Sequence, residues 1–184
     1  MDADFGGLFS VEDKQDPISV KSRTGYVILY CGAPLLWVSK MQTQIALSTI
    51  KAEYIALSQS MHDLIPIREV LKEIMTVMFD RDADIAYHLH SKAFEDANEG
   101  TVLYNIPQST VFEDNDACLK FARVPKLTLR TNHIGVPYHW FRTQVENLEI
   151  RIEQIDTTMQ LGDHFTKGLT VDLFRVARKR LMGW

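Results

Sequence analysis

The sequence predicts one α/β domain in which a sheet is flanked by helices. Its 184 residues are enough for one domain with a hydrophobic core, and 46% of them are hydrophobic. Strand-like alternation and helix-like apolar stripes follow one another along the chain. We therefore expect a single domain over residues 1–184, with a variable insertion at about 79–108.

The amino-terminal part predicts a loop followed by a hairpin. Residues 1–24 contain two adjacent glycines and a polar run that break any periodicity. Two apolar runs at 26–31 and 35–39 predict antiparallel strands, and the glycine and proline at 32–34 predict the turn between them. A shorter strand is expected at 43–46.

A long helix is predicted after this hairpin. Ser48 has the short polar side chain that caps a helix amino terminus. The helix is expected to reach about Met75, with Pro66 kinking it or splitting it in two. Its apolar stripe consists of Tyr54, Leu57, Met61, Leu64 and Leu71.

The second half predicts shorter elements. Residues 79–108 mix charges, glycine and proline without sustained periodicity, which indicates an insertion or a long irregular connection. Strands are predicted at 109–113 and 148–155, and helices at 115–123, 137–146, 158–167 and 171–182.

Four carboxylates lie where a strand ends or a helix turns. They are Asp2, Glu53, Asp114 and Asp163. Carboxylates gathered by a fold can hold two hard divalent cations for phosphodiester cleavage. Each also has a structural alternative: a charged terminus, a solvated helix residue, a helix N-cap, and a first-turn acid that favours the helix dipole. Asp4 is expected beside the site or capping a turn.

Charge and cysteine content narrow the function classes. The net charge of −4 excludes a chain that binds nucleic acid through bulk basicity. Lys126, Arg130 and His133 form a local basic loop that could contact phosphates, although a solvated basic face is an equal alternative. Two distant cysteines, Cys31 and Cys118, are typical of free thiols in a reducing, intracellular compartment. No signal peptide or membrane span is predicted.

Several collinear segments resemble the ribonuclease H domain of copia-type retrotransposon polyproteins. The resemblance covers nearly the whole chain except about 79–108. The segments are Lys21–Tyr26, Trp37–Lys40, Gln44–Thr49, Ala52–Leu57, Phe112–Asn115, Arg130–Ile134 and Gln160–Lys167.

The resemblance implies a fold, an activity and partners. The fold would be a ribonuclease H-like mixed five-stranded sheet flanked by helices. The activity would be hydrolysis of the RNA strand of RNA–DNA hybrids with two Mg²⁺ or Mn²⁺ ions held by Asp2, Glu53, Asp114 and Asp163. An upstream reverse transcriptase domain would be a partner, with no membrane and no small-molecule cofactor. The setting would be a cytoplasmic retroelement particle or the nucleus.

Two departures from the family pattern favour an alternative. Lys51 stands where the family has a glutamate, which removes a capping box and opposes the helix dipole. The first aspartate is residue 2, so the first strand is expected to be mostly missing, leaving sheet edges that need a partner strand. The alternative is an inactive retrotransposon remnant with at most weak nucleic-acid binding or a protein-interaction role.

Overall fold

A computed structural model describes residues 1–9, 18–79, 94–95, 102–103, 106–123, 140–147 and 149–183. The strands are β1 (Asp2–Asp4), β2 (Arg23–Tyr30), β3 (Ala33–Met41), β4 (Phe94–Glu95), β5 (Val102–Leu103), β6 (Ser109–Glu113) and β7 (Ile150–Gln154). The helices are α1 (Thr49–Phe79), α2 (Asp116–Arg123), α3 (Arg142–Glu146), α4 (Asp163–Thr166) and α5 (Val171–Met182), with a 3-10 turn at Thr157–Met159.

The predicted hairpin is β2 and β3, which belong to a three-stranded antiparallel sheet in the order β1-β2-β3, so β2 is the central strand. Its turn lies at Cys31 and Gly32, whose φ angles are 51° and 80°. Two consecutive positive φ angles match the twist of the flanking strands in a two-residue turn. The predicted strand at 43–46 is wrong, since residues 43 and 44 form a bend and residues 45 and 46 have no regular secondary structure.

The described strands do not form one five-stranded sheet. β6 and β7 pair in parallel as a separate two-stranded sheet, and β4 pairs with β5 in another. β1 is only three residues long and its ladder lies with β2, from Asp2 opposite Gly25 to Asp4 opposite Arg23. Beside it, Met1 N donates a hydrogen bond to Phe112 O of β6 at 3.0 Å. The expectation of a single mixed sheet is therefore wrong, because β1 is too short to make a ladder on both sides.

Pro66 was predicted to kink helix α1 or to split it, and the split is wrong because the helix is continuous through Pro66. Pro66 and His62 are both exposed. The carbonyl of His62, which loses its helical donor at Pro66, can therefore be hydrated rather than left unpaired. Ser48 caps this helix as predicted, with its Oγ accepting from Lys51 N at 3.2 Å.

The core lies between α1 and the strands. Tyr54, Ile55, Leu57 and Met61 of α1 are fully buried. The ring of Tyr54 packs edge-on against Phe121 of α2, with 4.6 Å between centroids. This packing fixes the amino-terminal half of α1 against β2 and α2, which is the half that carries Glu53.

Gly25 lets α4 approach β2 closely. A Cβ at this position would lie 2.6 Å from Thr166 Cγ2 and 2.9 Å from Gly162 O. Gly25→Ala is expected to lower the free energy of unfolding by about 1–3 kcal/mol, because α4 must move away from the strand. Gly168→Ala is the matched control, since a Cβ there meets nothing within 4 Å. Urea denaturation of both variants tests this, and equal stabilities would contradict the packing described.

Candidate metal site

Three of the four predicted carboxylates converge at one end of the core. Asp2, Glu53 and Asp114 each offer a carboxylate oxygen, and these oxygens lie within 4.8 Å of one another. They come from β1, from α1 and from the residue that follows β6. Residues separated by more than fifty positions in sequence thus form one cluster.

Asp2 is held by α4 and by the segment before it. Its side chain is 4% exposed, and Thr166 Oγ1 donates a hydrogen bond to Asp2 Oδ2. A Cβ at Gly162 would lie 2.7 Å from Asp2 N, so the backbone of this segment lies directly against β1. Gln160 Nε2 also donates to Met1 O at 2.7 Å. These contacts fix the short strand although it has only three residues.

Glu53 is buried with one oxygen unsatisfied. The side chain is 4% exposed, and Glu53 Oε2 has no hydrogen-bond partner among the described residues. A buried carboxylate oxygen without a partner is costly unless a cation or proton compensates it. The alternative of a solvated helix carboxylate is therefore wrong for Glu53.

Asp114 does not cap the helix that follows it. Asn115 does so instead, because its Oδ1 accepts from Ala117 N at 3.0 Å and from Cys118 N at 3.1 Å. The N-cap alternative for Asp114 is therefore wrong. Its half-buried carboxylate remains available to the cluster.

Asp163 is not part of the three-carboxylate cluster. It lies in the first turn of α4, buried, with Lys167 Nζ 3.0 Å from its Oδ1. Burial raises the pKa of Asp163 to about 6, while the hydrogen bond from Lys167 acts to lower it and the charges of Asp2 and Asp114 act to raise it. The charges of the cluster therefore act on Asp163, although an ion pair with Lys167 holds its side chain.

Glu113 is a further buried carboxylate that the sequence analysis missed. It is fully buried, its Oε1 accepts from Asn115 N at 3.0 Å, and its Oε2 has no partner among the described residues. The signal was present in β6, where the buried Val111 and exposed Phe112 alternate. That alternation directs Glu113 inward.

Burial and mutual repulsion dominate the electrostatics. Burial and, after it, the negative charges of Glu113, Asp2 and Asp114 together raise the pKa of Glu53 to about 10, although the amino group of Met1 acts to lower it. Burial likewise raises the pKa of Glu113 to about 7, although the hydrogen bond from Asn115 opposes this. The cluster therefore carries more negative potential than its described surroundings neutralise.

The donor chemistry fits a hard divalent cation. All three converging groups are carboxylates, which Mg²⁺ and Mn²⁺ prefer over soft ligands. The unsatisfied Glu53 Oε2 provides an oxygen that a cation could bind. Lys126, Arg130 and His133, the predicted phosphate contacts, lie outside the described residues. None of the described helices has the length and apolarity needed to cross a membrane.

Comparison with curated proteins links the chain to plant retroelements. It is 28% identical over 163 residues to the retrovirus-related Pol polyprotein from transposon TNT 1-94 of Nicotiana tabacum, covering 89% of this chain and 10% of the relative. It is 26% identical over 174 residues to the Pol polyprotein from transposon RE1 of Arabidopsis thaliana, covering 95% of this chain and 10% of the relative. Its homologues are retrovirus-related Pol polyproteins of plant transposons.

The same homology extends to a second Arabidopsis thaliana element. The Pol polyprotein from transposon RE2 is 26% identical over 169 residues, covering 92% of this chain and 9% of the relative. The chain thus spans about a tenth of the length of these curated relatives. No protein-family model and no solved structure matches it.

Proposed function

We propose that the chain is the ribonuclease H-like nuclease of a copia-type retrotransposon polyprotein. It would hydrolyse the RNA strand of RNA–DNA hybrids, using two divalent cations, Mg²⁺ or Mn²⁺. The observation that carries this proposal is the convergence of Asp2, Glu53 and Asp114, whose oxygens lie within 4.8 Å of one another. The homology to Pol polyproteins of plant transposons supports the same assignment.

The three carboxylates would divide the work of holding the ions. Asp2, fixed by Thr166, would be one ligand of these cations. Glu53 and Asp114 would complete the ligand sets from α1 and from the end of β6. When bound, such ions lower the pKa of an attacking water and stabilise the leaving 3′-oxygen. Burial of Asp2 and Glu53 would keep these ligands rigid and limit competing hydration.

Asp163 would serve the site only when its ion pair with Lys167 opens. In the structure, Lys167 Nζ lies 3.0 Å from Asp163 Oδ1 and offsets the charge of this carboxylate. A substrate phosphate near Lys167 would compete for the same ammonium group and free Asp163 for a cation. In this scheme Asp163 is the most loosely engaged of the four acids.

A second candidate function is favoured by the same ion pair. If Lys167 keeps Asp163 neutralised, the cluster has three carboxylates and the chain is an inactive remnant. Such a remnant would bind nucleic acid weakly through cations that bridge acid and phosphate. Its binding would fall with increasing salt and would show no turnover.

Cleavage of a labelled RNA–DNA hybrid tests the proposal. The full chain is incubated with Mg²⁺ or Mn²⁺, and RNA duplex and DNA duplex of the same sequence serve as matched substrates. Under the proposed function the RNA strand of the hybrid alone is cut, and a chelator stops the reaction. Hybrid binding that is sensitive to salt but produces no cut would favour the remnant. Cleavage that persists in chelator would contradict the metal site.

A further inference from the structure

A groove lies between α5 and the segments on either side of α4, with a cavity volume of about 130 Å³. Leu173, Val176 and Ala177 of α5 line it, together with Leu161 before α4 and Leu169 after it. An apolar cavity of about 150 Å³ takes one benzene-sized group. The groove is therefore the size of a single apolar side chain.

The apolar side chains at this groove are left partly in water. Leu173 and Val176 are 47% and 46% exposed, and Met159, which contacts Arg180, is 44% exposed. Exposed apolar side chains that lie together beside a cavity are typical of a surface that receives the apolar group of a partner.

Helix α5 is basic although the chain as a whole is acidic. Its 12 residues include Arg175, Arg178, Lys179 and Arg180 but a single acid, Asp172, whereas the net charge of the chain is −4. The helix dipole favours cations in the last turn, where Lys179 and Arg180 lie. The dipole does not account for the exposed apolar groove beside them, so the two features together indicate a binding surface.

Arg180 connects this positive charge to the groove. Its side chain lines the cavity, and its Nη2 donates to Met159 Sδ at 2.7 Å. A thioether sulfur is only a weak acceptor, and Arg180 forms no ion pair with any residue that the structure describes. Because a guanidinium group presents a fork of donors, Arg180 can hold a carboxylate at the rim of the groove.

The charge of Asp163, the acidic residue of the lining, is already offset. Lys167 Nζ lies 3.0 Å from Asp163 Oδ1. An acidic partner would therefore meet Arg180 and Lys179 rather than an unpaired carboxylate. The surface is complementary in charge to an acidic partner and in chemistry to an apolar one.

A protein segment fits this surface better than a nucleic acid or a membrane. Phosphates would satisfy the cations but would leave Leu173 and Val176 in water. A membrane requires the apolar residues of a helix on one face. The exposed Val171 and Val176 are five positions apart, which places them about 140° apart around the axis of α5.

We propose that this groove is a docking site for an acidic protein segment. One leucine or phenylalanine of that segment would fill the cavity, and a neighbouring aspartate or glutamate would pair with Arg180. The buried side chain would supply most of the affinity, and the charges would set the partner and its orientation. The proposal does not rest on the nuclease function, since α5 contributes no residue to the cluster of Asp2, Glu53 and Asp114.

Three fluorescein-labelled heptapeptides added to the full chain test the docking site. They are Glu-Glu-Leu-Phe-Asp-Glu-Leu, a form with serine at its apolar positions, and a form with lysine at its acidic positions. Fluorescence anisotropy at low ionic strength measures the affinity of each peptide. The first is expected to bind at least about tenfold more tightly than either control, because it alone offers both the apolar side chain and the carboxylates.

Two pairs of variants locate the binding on the protein. Val176→Ser and Arg180→Gln are each expected to weaken binding of the first peptide at least about fivefold. The matched controls are Val70→Ser on α1 and Arg151→Gln on β7, which lie outside the groove and should bind as the unmodified chain does. All four side chains are exposed, so each variant should keep its fold, which circular dichroism checks.

Four results would overturn the docking proposal. The first is an acidic apolar peptide that binds no better than its controls, or not at all up to about 1 mM. The second is equal binding by Val176→Ser and Val70→Ser, or by Arg180→Gln and Arg151→Gln.

The other two results would assign the groove to a different occupant. An RNA–DNA hybrid that displaces the peptide, and whose own binding is weakened by Arg180→Gln, would assign it to nucleic acid. A dimer in sedimentation that Val176→Ser dissociates would assign it to a second copy of the chain. Because none of these readouts uses cleavage, failure of the docking site and failure of the nuclease function are distinguishable.

Discussion

Replacing Asp114 by asparagine is expected to reduce hybrid cleavage by about a thousandfold, which corresponds to about 4 kcal/mol of transition-state stabilisation. Asparagine keeps the size of the side chain but removes the charge that a divalent cation requires. The Asp114 carboxylate is one of three whose oxygens lie within 4.8 Å of one another, and it does not cap α2. The substitution should therefore impair the metal site rather than the helix. The rate of RNA-strand cleavage in Mg²⁺ measures the effect.

Asp116→Asn is the matched control for that experiment. Asp116 lies two residues away on α2, is exposed, and pairs with Lys120 Nζ at 2.5 Å. Exposed ion pairs of this kind contribute at most about 1 kcal/mol. Cleavage by the control variant should therefore equal that of the unmodified chain. Equal cleavage by Asp114→Asn, with its fold intact by circular dichroism, would remove Asp114 from the site.

Glu53→Gln is expected to stabilise the metal-free protein while abolishing cleavage. Glu53 is buried beside Asp2, Asp114 and Glu113, and its Oε2 has no partner among the described residues. At pH 7.5 the folded protein holds a proton on this carboxyl group that the unfolded chain releases. Glutamine needs no such proton, so the free energy of unfolding should rise by about 1–3 kcal/mol. Functional sites are commonly less stable than the same positions with other residues would be, because function requires groups that destabilise the folded protein.

The raised pKa of Glu53 determines how the stability gained by Glu53→Gln changes with pH. The pKa of Glu53 is raised in the folded protein from 4.5 to about 10, so folding retains a proton that the unfolded chain releases. Stability from this residue is complete below pH 4.5 and declines as pH rises toward the folded pKa. The glutamine variant should therefore gain more over the unmodified chain at pH 8 than at pH 5.5.

Chemical denaturation in chelator at both pH values measures this gain. Glu73→Gln is the matched control, because Glu73 is an exposed residue of the same helix. The control should change stability by less than about 0.5 kcal/mol at either pH. A Glu53→Gln variant that is less stable than the unmodified chain at pH 8 would show that another group already compensates this carboxylate.

Local sequence patterns predicted several elements with their bounds. β6 at Ser109–Glu113 and α5 at Val171–Met182 have the ends that were expected. Their signals are local: strand alternation in one, and an amphipathic period in the other. The helix expected over 158–167 is instead a 3-10 turn and the four-residue α4. At Gly162 this segment lies against β1, a tertiary contact that periodicity does not show.

The candidate site was also predicted only in part, because some of its contacts depend on tertiary packing. Spacing and resemblance selected Asp2, Glu53 and Asp114, which converge. The same reasoning could not foresee that Lys167 would pair with Asp163, since both residues fit the family pattern. Glu113 was missed although it is the last residue of β6, because the resemblance selected its neighbour Asp114 instead. A contact across more than a hundred positions, such as the hydrogen bond from Met1 N to Phe112 O, depends on tertiary packing.

The most direct test of the metal site is Mn²⁺ binding to the full chain, measured by isothermal titration calorimetry. The unmodified chain is compared with Asp2→Asn and with Asp4→Asn, two residues away on the same strand. If Asp2 is a ligand, Mn²⁺ affinity falls at least about tenfold in Asp2→Asn and is unchanged in Asp4→Asn. Equal Mn²⁺ binding by the unmodified chain and Asp2→Asn would contradict the site and the nuclease function proposed from it.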